Sequence, residues 1–514
     1  MYDLNEVPFP FWGAETTTKG GRDPLAVQNS SVVIYSNMIT GITNVTARVR
    51  YNGFFCWLLT LIAKRLGKID ITKIDNPTEQ IKYIRRGELL LAYIMFKCYR
   101  DVHGVSGSIF AQNHYSDSGN VLDLAKGADY EHKPKIYWQN RLGIFGQYYI
   151  GVLSQLQLIY VPDASHKSYR PTKEGIKLGK IYSQSFSSEI ETLFWNSIYT
   201  GSVAKEKLSS MAAMALHLIE NEEELNEYKR IFCKPDRKDI TGKDVCHRIN
   251  SIRLLLHFIK TEGKHVSIRD SVLSFLRHNL ETVISHKYDA SEEQLSWFLY
   301  ELNELSHAAY EAFHFAILYS ISEEPQPLDY ILDHLETEFV TYSESADNES
   351  DMYSIYDNIQ QRYKDRNYGG LIFEGARLLV CLYSEIEPHV PELMEIAQHE
   401  NYDVRNYGFA PSLLLRLMNG FKERCDWDFA ESCIYYAIND HLRSSYSKST
   451  IGQGLVHNYM VEDELIWKLR RPDPIRTSPR LQNVLQYIED IKWIEVDEGH
   501  YSITPRGIKI LNND

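Results

Sequence analysis

The sequence predicts a mainly α-helical, multidomain chain of helical bundles into which two small α/β units are set. Three observations carry that expectation. At 514 residues the chain is too long for one core, and its length suggests about three domains. Leu, Ile, Phe and His recur at three- and four-residue spacing across 186–229 and 246–340, the period of helices with one buried face. One short pattern is also written twice: YRPTKEGIKL begins at Tyr169 and YSITPRGIKI at Tyr501, both reading Tyr-x-x-Thr-x-x-Gly-Ile-Lys.

The elements follow in order. The first fifty residues are mixed and loop-rich, with Gly20-Gly21 among them. A helix is expected from just after Asn44 to Leu66, stopped by Gly67, and a second over 79–100. Ser, Gly, Asn and Asp between Gly104 and Asp129 predict a loop. The first α/β unit is expected at 133–185, after an N-terminal, mostly helical domain over 1–132. A helical domain is expected at 186–340, an acidic flexible linker at 341–352 and a further helical domain at 353–470. Eleven Asp or Glu and no Lys or Arg lie between Ile321 and Gln360; such a stretch could meet a basic partner or stay solvated. Pro472 and Pro474 then introduce the second α/β unit, 471–514.

Composition narrows the setting. The chain is 44% hydrophobic and 24% charged, ordinary globular values for a protein able to bury a core without disulfide or metal. Seven scattered cysteines, none in a Cys-x-x-Cys pair, fit reduced thiols in a cytosol. The start, MYDLNEVPFPFWG, has no basic-then-apolar signal pattern, and the apolar run GFFCWLLTLIA at 53–63 is too short to cross a bilayer. A cytoplasmic protein without membrane attachment is expected. The net charge of −14 argues against non-specific coating of nucleic acid and leaves room for a local basic patch.

The two repeats extend upstream of the shared motif. Leu153, Leu156, Leu158 and Ile159 stand at the same offsets as Ile488, Ile491, Trp493 and Ile494. The pattern reads helix, strand, turn, strand, helix. Thr172 and Thr504 are placed to cap the following helix, Pro505 suits its first turn, and Gly175 and Gly507 allow it to approach the hairpin. These residues resemble the recognition-helix-to-wing segment of winged-helix proteins, whose last strand ends in a similar Tyr-x-Leu-Thr-x-x-Gly pattern. The resemblance covers about forty residues in each copy. It implies either reading of duplex DNA or docking on protein.

Charge separates those two roles. Over 133–182, Lys133, Lys135, Arg141, Lys167, Arg170, Lys173, Lys177 and Lys180 face only Asp163 and Glu174, a local net of +6. These eight are the candidate DNA contacts, through phosphate; a solvated face is the alternative. Over 468–514 eight basic and seven acidic residues leave +1, and the wing EVDEGHY is acidic. The C-terminal copy is therefore expected to bind protein. Its candidates are Arg470, Arg471, Arg476, Arg480, Lys492, Trp493, Arg506 and Lys509, with Trp493 and Tyr501 also read as core.

Catalytic signatures are sparse. No phosphate-binding loop, dinucleotide fingerprint, His-Glu-x-x-His or nucleophile elbow occurs. ELSHAAYEAFH at 304–314 holds Glu304-x-x-His307 and Glu311-x-x-His314, a spacing used by di-metal bundles, although on separate helices. A structural histidine-rich helix is the other reading. Asp129-Tyr-Glu131-His-Lys133 contains a nuclease-like Glu-x-Lys, and His399-Glu400 is a lesser pair. In GITNVTARVRYNGFFCWLL, Arg48 and Arg50 stand beside Phe54, Phe55 and Trp57: an aromatic–arginine partner surface, or a helix whose arginines reach solvent.

A helical chain closed by such a unit resembles kleisin-type subunits, which dock through it on the head of a structural-maintenance-of-chromosomes (SMC) ATPase. The stretch 41–59 is also similar to proteins of bacterial anti-phage and anti-plasmid loci, of which the Lamassu class joins such an ATPase to a nuclease and an accessory subunit. The helix-dense middle departs from the long, loosely structured middle of kleisins. These resemblances imply a non-catalytic scaffold of a DNA-associated complex, with no cofactor and no metal. Its partners would be double-stranded DNA, an SMC-type ATPase docked at 481–511 and a nuclease effector. Two rivals remain: a homodimeric transcriptional regulator, and a metal-dependent nuclease built on Glu131 or the Glu304–His314 groups.

Overall fold

A computed structural model describes residues 23–66, 77–239, 241–346, 351–421, 424–449 and 456–513. Gly20-Gly21, the expected helix stop at Gly67 and residues 347–350 of the expected linker lie outside them. The described chain is mainly α-helical, with only two- and three-stranded sheets between the helices. No helix among the described residues is long and apolar enough to cross a membrane.

Two compact units emerge, each assembled from separated stretches. One takes the chain up to Tyr35 together with Leu276–Thr477; the other takes Ser36–Phe275 together with Ser478–Asp514. The expected boundaries do not coincide with this division. Residues 186–340 are shared between the units, and 478–514 belong with 36–275.

The first unit is built on the helix Glu292–Ser320, 29 residues and about 44 Å long. Ser291 and Gln294 start it with a reciprocal capping box, each side chain taking the other's backbone N–H. Helices Met352–Asp365, Tyr368–Ile386, Ala410–Leu417 and Trp427–Lys448 pack against it. Because it is covered all round, it buries polar residues with apolar ones, among them Glu301, Asn303, Glu304, His307, Glu311 and His314. Within the stretch expected to be helical, Tyr459–Glu462 and Leu465–Lys468 form a hairpin joined by Gln326–Pro327.

The second unit centres on Tyr51–Arg65, buried over most of its length against Lys173–Ser183 and Pro77–Cys98. Arg48 and Arg50 do not reach solvent as a surface helix would have them do. Arg50 is 1% exposed and holds Glu224 bidentately, at 2.9 and 3.0 Å, while Arg48 Nη1 lies 2.7 Å from Asp490. The expected loop at 104–129 contains helices Ser108–Tyr115 and Leu124–Ala128, and strand Val121–Asp123 pairs with Ser202–Ala204. Two buried arginines fix this region. Arg85 donates to the carbonyls of Ala128, Trp138 and Asn140, and Arg86 pairs with Asp129.

Candidate functional site

The repeated sequence folds twice into one backbone design inside the second unit. The first copy runs through helix Ile150–Gln155, strands Ile159–Tyr160 and Arg170–Pro171, and helix Lys173–Ser183. The second runs through helix Leu481–Asp490, strands Ile494–Asp497 and His500–Ile503, and helix Pro505–Leu511. Each first helix leaves through a residue at positive φ, Gln157 at 58° or Lys492 at 61°. The next residue donates back to the helix: Leu158 N to Leu153 O at 2.8 Å, Trp493 N to Ile488 O at 2.7 Å. Pairing has the same register, Ile159 opposite Pro171 and Ile494 opposite Ile503.

The threonines behave identically. Thr172 Oγ1 accepts from Gly175 N at 3.1 Å and donates to Gln157 O at 2.8 Å. Thr504 Oγ1 accepts from Gly507 N at 3.2 Å and donates to Lys492 O at 2.7 Å. Each side chain caps the closing helix and ties it to the exit of the opening one.

Both copies flank the segment 41–49. Gln155 accepts from Gly41 N at 2.9 Å and Asn483 donates to Thr43 O at 2.6 Å. Neither copy dangles. Lys173–Ser183 is pressed on the Tyr51–Arg65 helix, and the second hairpin's tip is held by Ile268 N donating to Gly499 O at 3.1 Å. Arg253 adds a bond to Ile510 O at 3.1 Å.

The eight basic residues of 133–182 divide in two. Arg170 is buried, its guanidinium over the Tyr160 ring and 3.5 Å from Asp163. Lys177 pairs with Glu227 at 2.7 Å. Lys133, Lys135, Arg141, Lys167, Lys173 and Lys180 are exposed and pair with no carboxylate among the described residues. Lys133 donates to the Tyr130 hydroxyl at 3.0 Å and holds that phenol below its usual range.

The eight partner candidates are divided between the units. In the first, Arg476 is committed to Glu301 and Glu304, and Arg471 stacks 4.5 Å over Tyr319. Arg470 is half-buried. In the second, Trp493 is 2% exposed and serves the hairpin's own core. Arg480 donates to Ile39 O at 3.0 Å and Ser36 Oγ at 2.9 Å, and Arg506 pairs with Glu222. Lys492 and Lys509 remain exposed, beside an exposed strip of Glu495, Val496, Asp497 and Glu498. The sequence carried no signal for the committed arginines, because their partners are remote: Glu301 lies 175 residues from Arg476, and Glu222 lies 284 from Arg506.

The residues weighed for chemistry are also distributed. Glu304 accepts from Thr477 N at 2.9 Å and Thr477 Oγ1 at 2.7 Å. His307 Nε2 stands 2.6 Å from Gly408 O, so that nitrogen carries the proton. His314 joins a different cluster, with Tyr459 at 3.2 Å and Asn458 at 3.0 Å, its ring 4.6 Å from His441. Burial pushes both histidines below the usual imidazole range, and His441 to about 4. Glu131 is exposed. Among the described residues, three or more potential metal-ligand atoms converge at Glu292, His399 and Glu400 and not at Glu131 or the 304–314 row.

No protein-family model, no curated protein and no solved structure matches this chain significantly.

Proposed function

We propose that this chain is a non-catalytic, cytoplasmic subunit of a DNA-associated assembly. In this reading its first helix–hairpin–helix copy meets DNA phosphates and its C-terminal copy, a winged helix by motif, meets a protein. The observation that carries the reading is the contrast between two hairpins of one backbone design. Lys167, Lys173 and Lys180 on the first, and Lys133, Lys135 and Arg141 in the stretch before it, are exposed and pair with no carboxylate among the described residues, whereas the exposed tip of the second presents Glu495, Asp497 and Glu498. A phosphate backbone is drawn to the first and repelled by the second. The resemblance to kleisin-type subunits and to anti-phage and anti-plasmid loci makes an SMC-type ATPase the protein partner and defence against phage or plasmid DNA the setting.

Binding of the full-length protein to a fluorescent duplex across a salt series tests this. Replacing Lys133, Lys135, Arg141, Lys167, Lys173 and Lys180 with Ala lowers affinity and reduces the log–log salt slope by about 0.9 for each phosphate no longer neutralised. An unchanged affinity and slope would leave the basic residues a solvated face and remove the DNA role.

A further inference from the structure

The helix Val390–His399 ends beside the start of the helix Glu292–Ser320, both in the first unit. Backbone geometry fixes its exit. Glu400 N donates to Ile396 O at 3.0 Å, Asn401 takes a positive φ of 58°, and Tyr402 N turns back to Ala397 O at 2.8 Å. The Tyr402 hydroxyl then donates to Ser296 Oγ at 3.0 Å in a buried bond. Ser296 stands one turn beyond Glu292 on the same helix face, and the Ser291–Gln294 capping box holds that first turn. Two framed helix ends thus bring His399 and Glu400 to Glu292.

The three side chains converge. One ligand atom from each of Glu292, His399 and Glu400 lies within 4.8 Å of the other two. His399 Nδ1 is 3.4 Å from Glu400 Oε1. Two donors bound to one tetrahedral zinc ion at about 2.0–2.1 Å stand about 3.3–3.4 Å apart, so one edge of such a sphere is already set. The Glu400 side chain is buried, whereas Glu292 and His399 are exposed. The group therefore has one fixed carboxylate and two arms that an ion can reach from solvent.

Other His–Glu contacts lack this arrangement. His334–Glu338 and His389–Glu392 are as close, at 3.3 Å, yet neither carboxylate is buried and no third ligand atom joins either pair among the described residues.

We propose that Glu292, His399 and Glu400 bind one zinc ion, with water completing its sphere. An imidazole nitrogen beside two carboxylates suits zinc, whereas magnesium and calcium take oxygen ligands. Two carboxylates within 4.8 Å repel each other, and a doubly charged ion between them turns that repulsion into attraction. The ion clamps the start of one helix to the end of the other. This role is separate from the DNA and protein contacts proposed above.

The test is calorimetric titration of the full-length protein with zinc, after stripping with EDTA, removal of the chelator and with thiols kept reduced. Because the chain has 18 His and 7 Cys, the readout is the difference between proteins. His399→Ala and Glu292→Gln change exposed side chains, so both variants keep the fold. Each is expected to bind the first equivalent of zinc at least about ten-fold more weakly than the wild type. His389→Ala, in a pair with no third ligand, is expected to match the wild type. Zinc should raise the melting temperature of the wild type more than that of either site variant, and magnesium at equal concentration should not compete. Equal zinc affinity in the wild type and both site variants, an equal loss in His389→Ala, or displacement of zinc by magnesium overturns the proposal.

Discussion

Gly175 and Gly507 occupy the same place in the two hairpin units. A Cβ on Gly175 would stand 2.0 Å from Leu158 O, and one on Gly507 2.1 Å from Trp493 O. In each case the obstacle is a backbone carbonyl that also accepts a hydrogen bond, from Thr172 N at 2.9 Å or Thr504 N at 3.0 Å. It cannot move aside without opening the hairpin.

Gly175→Ala and Gly507→Ala each therefore lower stability by about 1–3 kcal/mol. Gly151, on the first helix of the same unit, has nothing within 4 Å of its Cβ position. Gly151→Ala is expected to gain about 0.5–1 kcal/mol. Urea denaturation of the three variants checks the opposite signs.

The Arg50–Glu224 pair ties the start of the Tyr51–Arg65 helix to the helix Glu222–Phe232. Both side chains are essentially inaccessible, so removing one partner strands a charge. Glu224→Leu costs about 3–5 kcal/mol, and the double variant Arg50→Met/Glu224→Leu recovers a large part of it. A double variant as unstable as the single one would show that Arg50 acts through packing and its other bonds.

Asp490 gives the second unit a pH dependence. Its carboxyl is raised from 3.8 to about 7, because burial outweighs the pairing with Arg48. Between these values the folded chain holds a proton that the unfolded chain has released. The stability from this group is fully present below the unfolded value and is lost as pH rises through the folded one. Asp490→Asn removes that component. Denaturation midpoints from pH 5 to pH 8 should fall more steeply for the wild type than for the variant up to about pH 7, and run parallel above it. Parallel curves throughout the range would count against the shift.

Arg170 and Lys177 separate binding from folding among the basic residues. Arg170→Ala opens a buried site over Tyr160 and lowers stability, with no change in the salt slope of DNA binding. Lys177→Ala frees Glu227, which also pairs with Arg230, and changes stability by less than about 1 kcal/mol. A thermal melt beside the salt series distinguishes these effects from a weakened hold on phosphate.

The hairpin units were legible because their signal is local. The Thr caps, the glycines three residues on and the offsets of Leu158 or Trp493 all lie within about thirty residues and act through backbone geometry. The loop expected at 104–129 was misread for the opposite reason. Its order draws on partners outside the segment: Val121–Asp123 pairs with Ser202–Ala204, and Arg85 and Arg86 on another helix hold its end at Ala128 and Asp129. The chemistry-bearing row was half visible. Spacing placed Glu304, His307 and Glu311 on one helix face, but it also placed His314 there, which the fold assigns to Asn458 and Tyr459.

By itself the sequence determined the helical class, the two repeated hairpins and the contrast between a basic first copy and an acidic second wing, because periodicity, capping and charge are properties of neighbouring residues. Only the tertiary structure decided which basic side chains pair with a carboxylate, that Arg50 faces inward on Glu224, and that Arg476 and Arg506 are committed to acids far along the chain. Those outcomes depend on groups brought together from hundreds of residues apart, where burial makes each unpaired charge or polar atom costly enough to dictate its neighbour.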